Sequence, residues 1–397
     1  MTGEPVLIAA LSGRGLCASA RRAGYLPLVA DAFGDSDMRA MAAYSCRIAD
    51  AARIGLRAKA VFAALAELTA ASPREPIGLI LGSGFEDRPK LVAALAERYR
   101  LIGNGAAAIA ASKDPIALAG LLKARGIAHP ETRKLPPASM DDWLAKRIGG
   151  SGGTHIDPAP VGPPSPRRYY QRRLNGEAVS LLALATPASV RSVGFSRQWT
   201  AGAGPRPFRY GGAVGPVSLG ADIEAAMEFA ATETCSAFKL IGLVSLDFLV
   251  AGNTPYLLEV NPRPGATIDV FDDHQGTLFE AHLAACEGRL IPFSTPTGAR
   301  AAAILYADRG RLHIGHTAWP DWAADRPDPA MRIPRYRPIA TVYGDGPGPD
   351  EALQRCRQRL EELGSMLYAQ AQNRERIKNA EIQRPSPQCF GARRQAR

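Results

Sequence analysis

What the sequence lacks excludes several classes of protein. It has only six cysteines in 397 residues, and none of them lies in a CxxC motif, so we expect neither a disulfide scaffold nor a zinc ribbon. No apolar run approaches the roughly 20 residues that cross a bilayer, and no signal pattern opens the chain. The six histidines offer no convincing set of metal ligands, and we find no internal repeat. These absences favour a cytoplasmic globular protein with reduced cysteines and no membrane partner.

The positive charge is unevenly distributed. The formal net charge is +10, and residues 370–397 contribute seven Lys or Arg against two Glu, which is half of the excess. We therefore predict a basic, disordered tail over 369–397 and expect no nucleic-acid partner, although a nucleic-acid-binding protein remains one alternative. The remaining positive charge suits an anionic small molecule such as a nucleotide.

The pattern of apolar runs predicts an α/β protein of several units. In residues 1–105, strand-like runs alternate with helical patterns, which is typical of a Rossmann-like parallel sheet covered by helices. An alanine-rich helical stretch over 106–125 leads into a central unit, 106–298. Its first part, about 126–185, has short strands separated by Gly and Pro loops, and its second part is about 186–298. A strand-rich domain over 299–368 precedes the tail.

One pair of strands carries the most informative side chains. Asp247 lies in the apolar run 242–250, and Glu259 and Asn261 lie in the run 256–261, with a five-residue connection between the runs. Antiparallel pairing places Asp247 opposite Glu259 and directs Asn261 to the same face. Charged groups within apolar strands are costly to bury without a cation, and Mg²⁺ prefers such oxygen ligands. Arg263, between Pro262 and Pro264, is held beside them and could clamp a phosphate.

Asp247 and four segments, one of which contains Glu259, Asn261 and Arg263, resemble the ATP-grasp superfamily, whose members bind magnesium through an Asp on one strand and Glu-x-Asn on the next. The segments are 126–130 (GIAHP), 143–153 with its glycine loop GGSGG, 169–180 (YYQRRLNGEAVS) and 259–263 (EVNPR). Glycine loops turn backbone N–H groups onto phosphates. The resemblance covers most of the chain and implies an ATP-grasp fold, with a small nucleotide lobe at 126–185 and a magnesium lobe at 186–298.

The resemblance also implies a role for individual residues. It implies ATP contacts at Lys113, Lys146, Gly150, Ser151, Gly152, Gly153, Tyr170, Gln171 and Glu177, and a site for Mg²⁺ or Mn²⁺ at Asp247, Glu259 and Asn261. Arg263 and Asn261 are then catalytic. Ser12, Arg14, Phe85 and Glu86 follow strands of the N-terminal sheet and would face the acceptor substrate. Gln171 stands where the family often has Glu, which leaves its contact with adenine open.

The implied activity is that of an ATP-dependent carboxylate-amine ligase, which forms an amide through an acyl phosphate and releases ADP and phosphate. The C-terminal pattern resembles predicted carboligases related to biotin carboxylase in methanogens and methylotrophs. This resemblance suggests addition of glutamate during biosynthesis of a one-carbon carrier of the methanofuran, methylofuran or methanopterin type. Small carboxylates and amines are the expected partners, and a homodimer is common in the superfamily.

A second enzyme class competes with this assignment. Gly13-x-Gly15 follows an apolar strand and opens a helix, and Asp31 ends the next strand, which satisfies a loose dinucleotide fingerprint. The alternative is therefore an NAD(P)-dependent oxidoreductase. That reading leaves Asp247, Glu259 and Asn261 unexplained.

Overall fold

The structure is a computed structural model that describes residues 3–158 and 165–382, with side chains placed up to residue 374. Its strands are β1 Pro5–Ala10, β2 Leu26–Asp31, β3 Tyr44–Arg47, β4 Leu79–Leu81, β5 Thr132–Arg133, β6 Trp143–Arg147, β7 Ile156–Asp157, β8 Arg168–Arg172, β9 Glu177–Ala185, β10 Val190–Thr200, β11 Tyr210–Gly215, β12 Gly242–Ala251, β13 Thr254–Asn261, β14 Ala299–Tyr306, β15 Leu312–His313, β16 Ala323–Ala324, β17 Arg332–Ile333 and β18 Pro338–Gly346. Its helices are α1 Arg14–Arg22, α2 Ser36–Met41, α3 Ala51–Ile54, α4 Ala58–Ala71, α5 Pro89–Ala96, α6 Ala106–Ser112, α7 Pro115–Ala124, α8 Ala221–Phe238, α9 Ile268–Phe271, α10 Thr277–Cys286 and α11 Pro349–Ile382.

The N-terminal unit is a four-stranded parallel sheet in the order β3-β2-β1-β4. Every residue of β1 and β2 is buried, because helices cover both faces and parallel strands then carry continuous apolar runs. The predicted α/β class of this unit is confirmed. The loops that follow β1 and β4 lie together at one end of the sheet, next to the central unit.

The alanine-rich stretch is two helices where the sequence predicted one. Asp114 accepts hydrogen bonds from the backbone N–H groups of Ile116 and Ala117, and Pro115 is the first residue of α7. An Asp cap followed by Pro starts a helix and disfavours continuing the preceding one. The break leaves Lys113 at the end of α6, from which its side chain reaches the candidate site.

The largest sheet is antiparallel and has eight strands, in the order β13-β12-β9-β10-β11-β14-β18-β16. Three of its strands belong to the region predicted as a separate C-terminal domain, and they join through the pairing of β11 with β14. The predicted boundary at residue 298 therefore does not separate two sheets. Strand β9, predicted to end the small lobe, also lies in this sheet, so the described part of the small lobe is the four-stranded sheet β5-β8-β6-β7.

The C-terminal helix corrects the prediction of a disordered tail from residue 369. Helix α11 continues to Ile382, because the sequence from 369 onwards is rich in Ala, Gln, Arg and Glu, which favour helix. Residues 383–397, the rest of the predicted tail, lie outside the described residues. Over the parts of the chain that are described, no helix is long and apolar enough to span a bilayer.

A buried histidine joins α10 to β12 and gives a pH-dependent prediction. His282 is 1 % exposed, and its Nδ1 accepts a hydrogen bond from the Leu243 N–H at 2.9 Å. Burial lowers the pKa of His282 from 6.5 to about 4. The folded protein favours the neutral ring, so this histidine contributes its full stabilisation above pH 6.5. As the pH falls, the unfolded chain takes up a proton first, and the free energy of unfolding should decrease by about 3 kcal/mol at pH 4. Denaturant unfolding at pH 7 and pH 4 should show this loss in the native chain and not in His282→Asn, which keeps an acceptor; equal losses in both would contradict it.

Candidate active site

The three predicted metal ligands lie together on one face of β12 and β13. Asp247 is directly opposite Glu259 in the strand register, as predicted, and the Asn261 amide donates to Asp247 Oδ2 at 2.8 Å. Gln198, on β10 across the same sheet, donates to Asp247 Oδ1 at 3.2 Å. Two carboxylates and an amide therefore converge. This donor set suits a hard divalent ion that completes its coordination with phosphate and water oxygens. Among the described residues, no group of three or more His, Cys, Asp or Glu could hold a metal ion; the third donor of the present set is an amide.

Lys113 enters this cluster from the end of α6. Its ammonium lies 2.5 Å from Glu259 Oε1 and 2.8 Å from Asn261 Oδ1, and its side chain is 4 % exposed. A cation therefore occupies the point at which these oxygens meet. The same oxygens can hold Mg²⁺ only if the lysine moves aside, and a nucleotide phosphate beside the metal would offer it a new partner.

The two carboxylates have different electrostatic environments. Burial raises the pKa of Asp247, and the nearby charge of Glu259 raises it further. Burial alone would also raise the pKa of Glu259, but Lys113 and His155 outweigh burial and hold that pKa at about 2. Glu259 is therefore the more firmly ionised of the pair and the better anchor for a cation.

Lys146 provides the second cation of the site. It lies on β6, is 6 % exposed, and donates to Gln171 Oε1 at 2.5 Å. Burial lowers the pKa of Lys146, while the charges of Glu259 and Asp247 raise it. The Gln171 amide donates in turn to Thr132 Oγ1 and to the Leu258 carbonyl, at 3.3 and 3.4 Å. A neutral amide orients Lys146 without cancelling its charge, so the lysine keeps its full attraction for phosphate.

A cleft opens beside these side chains. Its walls combine Lys113, Gln171 and Glu259 with the apolar side chains of α7. Tyr169 also lines the cleft, whereas the side chain of Tyr170 packs with Trp143 and Ala145 in a separate small core. Successive side chains of β8 point to opposite faces, so the Tyr169 side chain faces the cleft and that of Tyr170 does not.

The glycine loop is packed between two parts of the chain. Gly149 has a φ of +67°, and a Cβ there would lie 2.7 Å from Asp87; a Cβ at Gly153 would lie 1.7 Å from the Phe208 carbonyl oxygen. The Gly152 carbonyl accepts from the Tyr210 N–H at 3.0 Å. Only glycine allows such close backbone approach at a positive φ. The loop is thus held against both the N-terminal unit and the large sheet.

Arg263 is paired with Glu86 of the N-terminal unit. Its Nε donates to Glu86 Oε1 at 2.6 Å, and Glu86 Oε2 accepts from the Gly84 N–H at 2.7 Å. Burial tends to raise the pKa of Glu86, but Arg263 and Lys113 lower it overall. Arg263, predicted to be catalytic, and Glu86, predicted to face the substrate, therefore meet beside the cluster. The hydrogen bond from Nε to the Glu86 carboxylate orients the Arg263 guanidinium.

The other predicted substrate and nucleotide residues lie differently. Arg14 is bound by the carboxylates of Asp269 and Asp325, and Ser12 donates to Asp325 at 3.3 Å, so both join the N-terminal unit to the rest of the chain. The Phe85 side chain is 1 % exposed, packs in the apolar core of the N-terminal unit and lines a second cavity with Glu86 and Arg263. Glu177 is exposed at the start of β9, with its carboxylate 3.8 Å from Arg197, and no contact joins it to either site lysine.

The dinucleotide alternative finds little support around Gly13. Asp31, the residue that would bind a ribose, is fully buried and accepts hydrogen bonds from the Gly34 and Gly13 N–H groups at 2.8 and 3.4 Å. Burial raises the pKa of Asp31 to about 6. A Cβ at Gly15 would lie 3.2 Å from Asp269 and Ile268. A pyrophosphate would have to lie at the start of α1, and this position is covered by protein.

Sequence reasoning missed three residues of the site. Gln198 could not be placed beside Asp247 without the strand order of the large sheet, in which β10 lies two strands away from β12. Tyr169 could have been found from alternation, since it pairs with Lys146. His155 follows the glycine loop, and the charges of Glu259, Lys146 and Lys113 all act on its ring. A lone histidine gave no metal-ligand spacing, so its position carried no signal in the sequence.

Comparison with known proteins agrees with this geometry. Residues 112–267 match the sequence profile of the ATP-grasp domain. No curated protein matches the sequence. The fold is similar to biotin carboxylase from Campylobacter jejuni, solved with β-γ-ATP (14 % identity, 88 % of this chain and 89 % of that chain, TM-score 0.66). It is also similar to N5-carboxyaminoimidazole ribonucleotide synthetase from Thermotoga maritima (14 %, 90 % and 98 %, 0.60).

A third similar structure is the biotin carboxylase domain dimer of the Hydrogenobacter thermophilus 2-oxoglutarate carboxylase, in complex with MgADP, ADP and bicarbonate (13 % identity, 90 % of this chain and 89 % of that chain, TM-score 0.68). The chain has the ATP-grasp fold. Residues 112–267 therefore form an ATP-grasp domain, and the likeness to these solved structures extends over about nine-tenths of the chain.

Proposed function

We propose that the chain is an ATP-dependent carboxylate-amine ligase that binds Mg-ATP between its two lobes. The observation that supports this most strongly is the convergence of Asp247, Glu259 and Asn261 beside two buried lysines, under a tightly packed glycine loop. The donor set fits Mg²⁺ or Mn²⁺, because it supplies hard oxygens and leaves further coordination positions to phosphates. The metal would neutralise charge on the transferring phosphoryl group.

In the proposed reaction, an oxygen of the substrate carboxylate attacks the terminal phosphorus of ATP, and the bond from that phosphorus to the ADP oxygen breaks. An amine then attacks the acyl carbon, phosphate leaves, and the nitrogen loses a proton. Lys113 and Lys146 would hold phosphate oxygens, and Arg263 would orient the acyl phosphate or its carboxylate precursor. The glycine loop would keep water away from the intermediate.

The proposed substrates follow from the sequence pattern. Glutamate as the added amino acid, and a one-carbon carrier precursor of the methanofuran, methylofuran or methanopterin type as its acceptor, rest on the resemblance of the C-terminal region to carboligases of methanogens and methylotrophs. A homodimer, and a location in the cytoplasm, are part of the same proposal. The basic net charge of +10 is consistent with anionic substrates.

The direct test is an assay of ADP release with Mg-ATP, glutamate and a panel of amines and carboxylates, in which each component is omitted in turn. We expect ADP formation that requires both organic substrates. Binding of NAD(H) at micromolar concentration, without any binding of Mg-ATP, would instead support the oxidoreductase. Binding to nucleic acid that persists after deletion beyond Tyr368 would support the third alternative.

The lysine of the small lobe gives a separate prediction. Lys146→Met removes a buried cation that hydrogen-bonds to Gln171, and we expect the affinity for an ATP analogue to fall about tenfold or more, as for loss of a hydrogen bond to a charged group. Calorimetric titration measures this. Lys123→Met, on the exposed face of α7, is the control and should bind normally; equal affinity in both variants would count against the role of Lys146.

A further inference from the structure

His155 is a half-buried side chain that the proposed reaction does not yet use. It lies two residues after the glycine loop and precedes Ile156, the residue of β7 that pairs with Lys146. Its ring lies against Gly150, where a Cβ would be only 2.2–2.6 Å from three atoms of the His155 side chain. The absence of a side chain at Gly150 therefore lets the imidazole pack beneath the glycine loop.

One nitrogen of this ring lacks a partner. Among the residues that the structure describes, none forms a hydrogen bond with the buried Nδ1 atom. Leaving such an atom without a partner costs stability, so each case requires an explanation. Binding of a ligand is one explanation when the atom lies near several charged groups, as this one does.

The charged groups around His155 are those of the candidate active site. Burial lowers the pKa of His155, the charge of Glu259 raises it, and the charges of Lys146 and Lys113 lower it. Reciprocally, His155 lowers the pKa of Glu259. These three residues come from β13, β6 and the end of α6, so the imidazole lies close to the place where the elements of the site meet.

We propose that His155 is a phosphate ligand, which donates a hydrogen bond from Nδ1 to a β- or γ-phosphate oxygen of the bound nucleotide when the glycine loop is packed down. This inference rests on the proposed function, since it requires a nucleoside triphosphate in the cleft. An anionic oxygen selects the form of the ring that carries a proton on Nδ1. The histidine would link closure of the loop to recognition of the phosphate chain.

The test compares His155→Asn with His155→Leu, whose side chains have the same branching and nearly the same size. Asparagine places an amide close to the position of Nδ1, whereas leucine offers no polar group. Each variant, the native chain and the exposed-site control His313→Asn are titrated with a nonhydrolysable ATP analogue plus Mg²⁺, and with AMP. AMP lacks the β- and γ-phosphates and serves as the probe for a general effect on the cleft.

We expect His155→Leu to bind the ATP analogue about tenfold more weakly than His155→Asn, as for loss of a hydrogen bond to a charged group, with AMP affinity within about twofold across the variants. Equal affinities of the two variants for the analogue would overturn the inference, and so would an equal loss for analogue and AMP, which indicates a packing role. If the native chain does not bind the ATP analogue, whether or not it binds AMP, the proposed function is wrong. That result is seen in the native chain and is therefore distinct from a failure of the inference about His155, which is seen only in the variants.

Discussion

Replacing Glu259 by Gln should lower the rate of ADP formation by about a hundred- to thousandfold, the range expected when a principal electrostatic contact of a transition state is removed. The reason is charge: Glu259 is the more firmly ionised carboxylate of the pair, with its pKa held at about 2. Gln keeps the size and an oxygen acceptor for Lys113, so the protein should still unfold cooperatively. Glu259→Ala is the poorer variant, because it leaves the buried ammonium with fewer partners.

The matched control is Glu280→Gln, which neutralises an exposed carboxylate on α10 and should leave the rate of ADP formation unchanged. The rate is measured by coupled ADP detection at saturating Mg-ATP, with circular dichroism to verify the fold. If Glu259→Gln retains most of the activity, the assignment of Glu259 as a metal ligand is wrong.

The second large effect concerns stability in the absence of metal. Lys113→Met leaves the Glu259 carboxylate without its closest cation, and we expect the free energy of unfolding to fall by about 3 kcal/mol. That figure is the lower end of the cost of breaking a buried ion pair, because the Glu259 side chain retains 22 % exposure against 4 % for Lys113. Denaturant unfolding in the presence of a chelator measures the loss.

Two comparisons separate this electrostatic account from a simple packing defect. The double variant Lys113→Met, Glu259→Gln should recover most of the lost stability, because no uncompensated charge remains. Millimolar Mg²⁺ should stabilise the single variant more than the double variant, since the metal can replace the ammonium only where the carboxylate is present. Lys123→Met serves as the surface control. Equal stability of the single and double variants, with and without Mg²⁺, would contradict the account.

The sequence predicted the β12–β13 hairpin because its signals are local. Two apolar runs close in sequence predict an antiparallel pair, and alternation places Glu259 and Asn261 on the same face of their strand. The connection differs from the prediction: β12 and β13 are joined by two residues, and a bulge between Asp247 and Phe248 shifts the register so that Asp247 lies opposite Glu259. The strands and helices of the N-terminal unit are local in the same sense, since each strand is a short apolar run and each helix has its own period.

Other features depend on contacts between distant segments, which a single sequence does not specify. The pairing of β11 with β14 joins residues nearly ninety positions apart and brings the C-terminal strands into the large sheet. The engagement of Arg14 by Asp269 and Asp325 is of the same kind. Along β8, by contrast, the local alternation of side chains is enough to place Tyr169 and Gln171 on the cleft side.

The most direct test of the central claim is a crystal structure with Mn²⁺ and a nonhydrolysable ATP analogue, in which anomalous scattering locates the metal. The account predicts Mn²⁺ bound by oxygens of Glu259 and its neighbours Asp247 and Asn261, bridged to phosphate, with the Lys113 ammonium moved from Glu259 to the nucleotide. Lys113 still bonded to Glu259 and Asn261, with the metal or the nucleotide bound elsewhere on the chain, would contradict it.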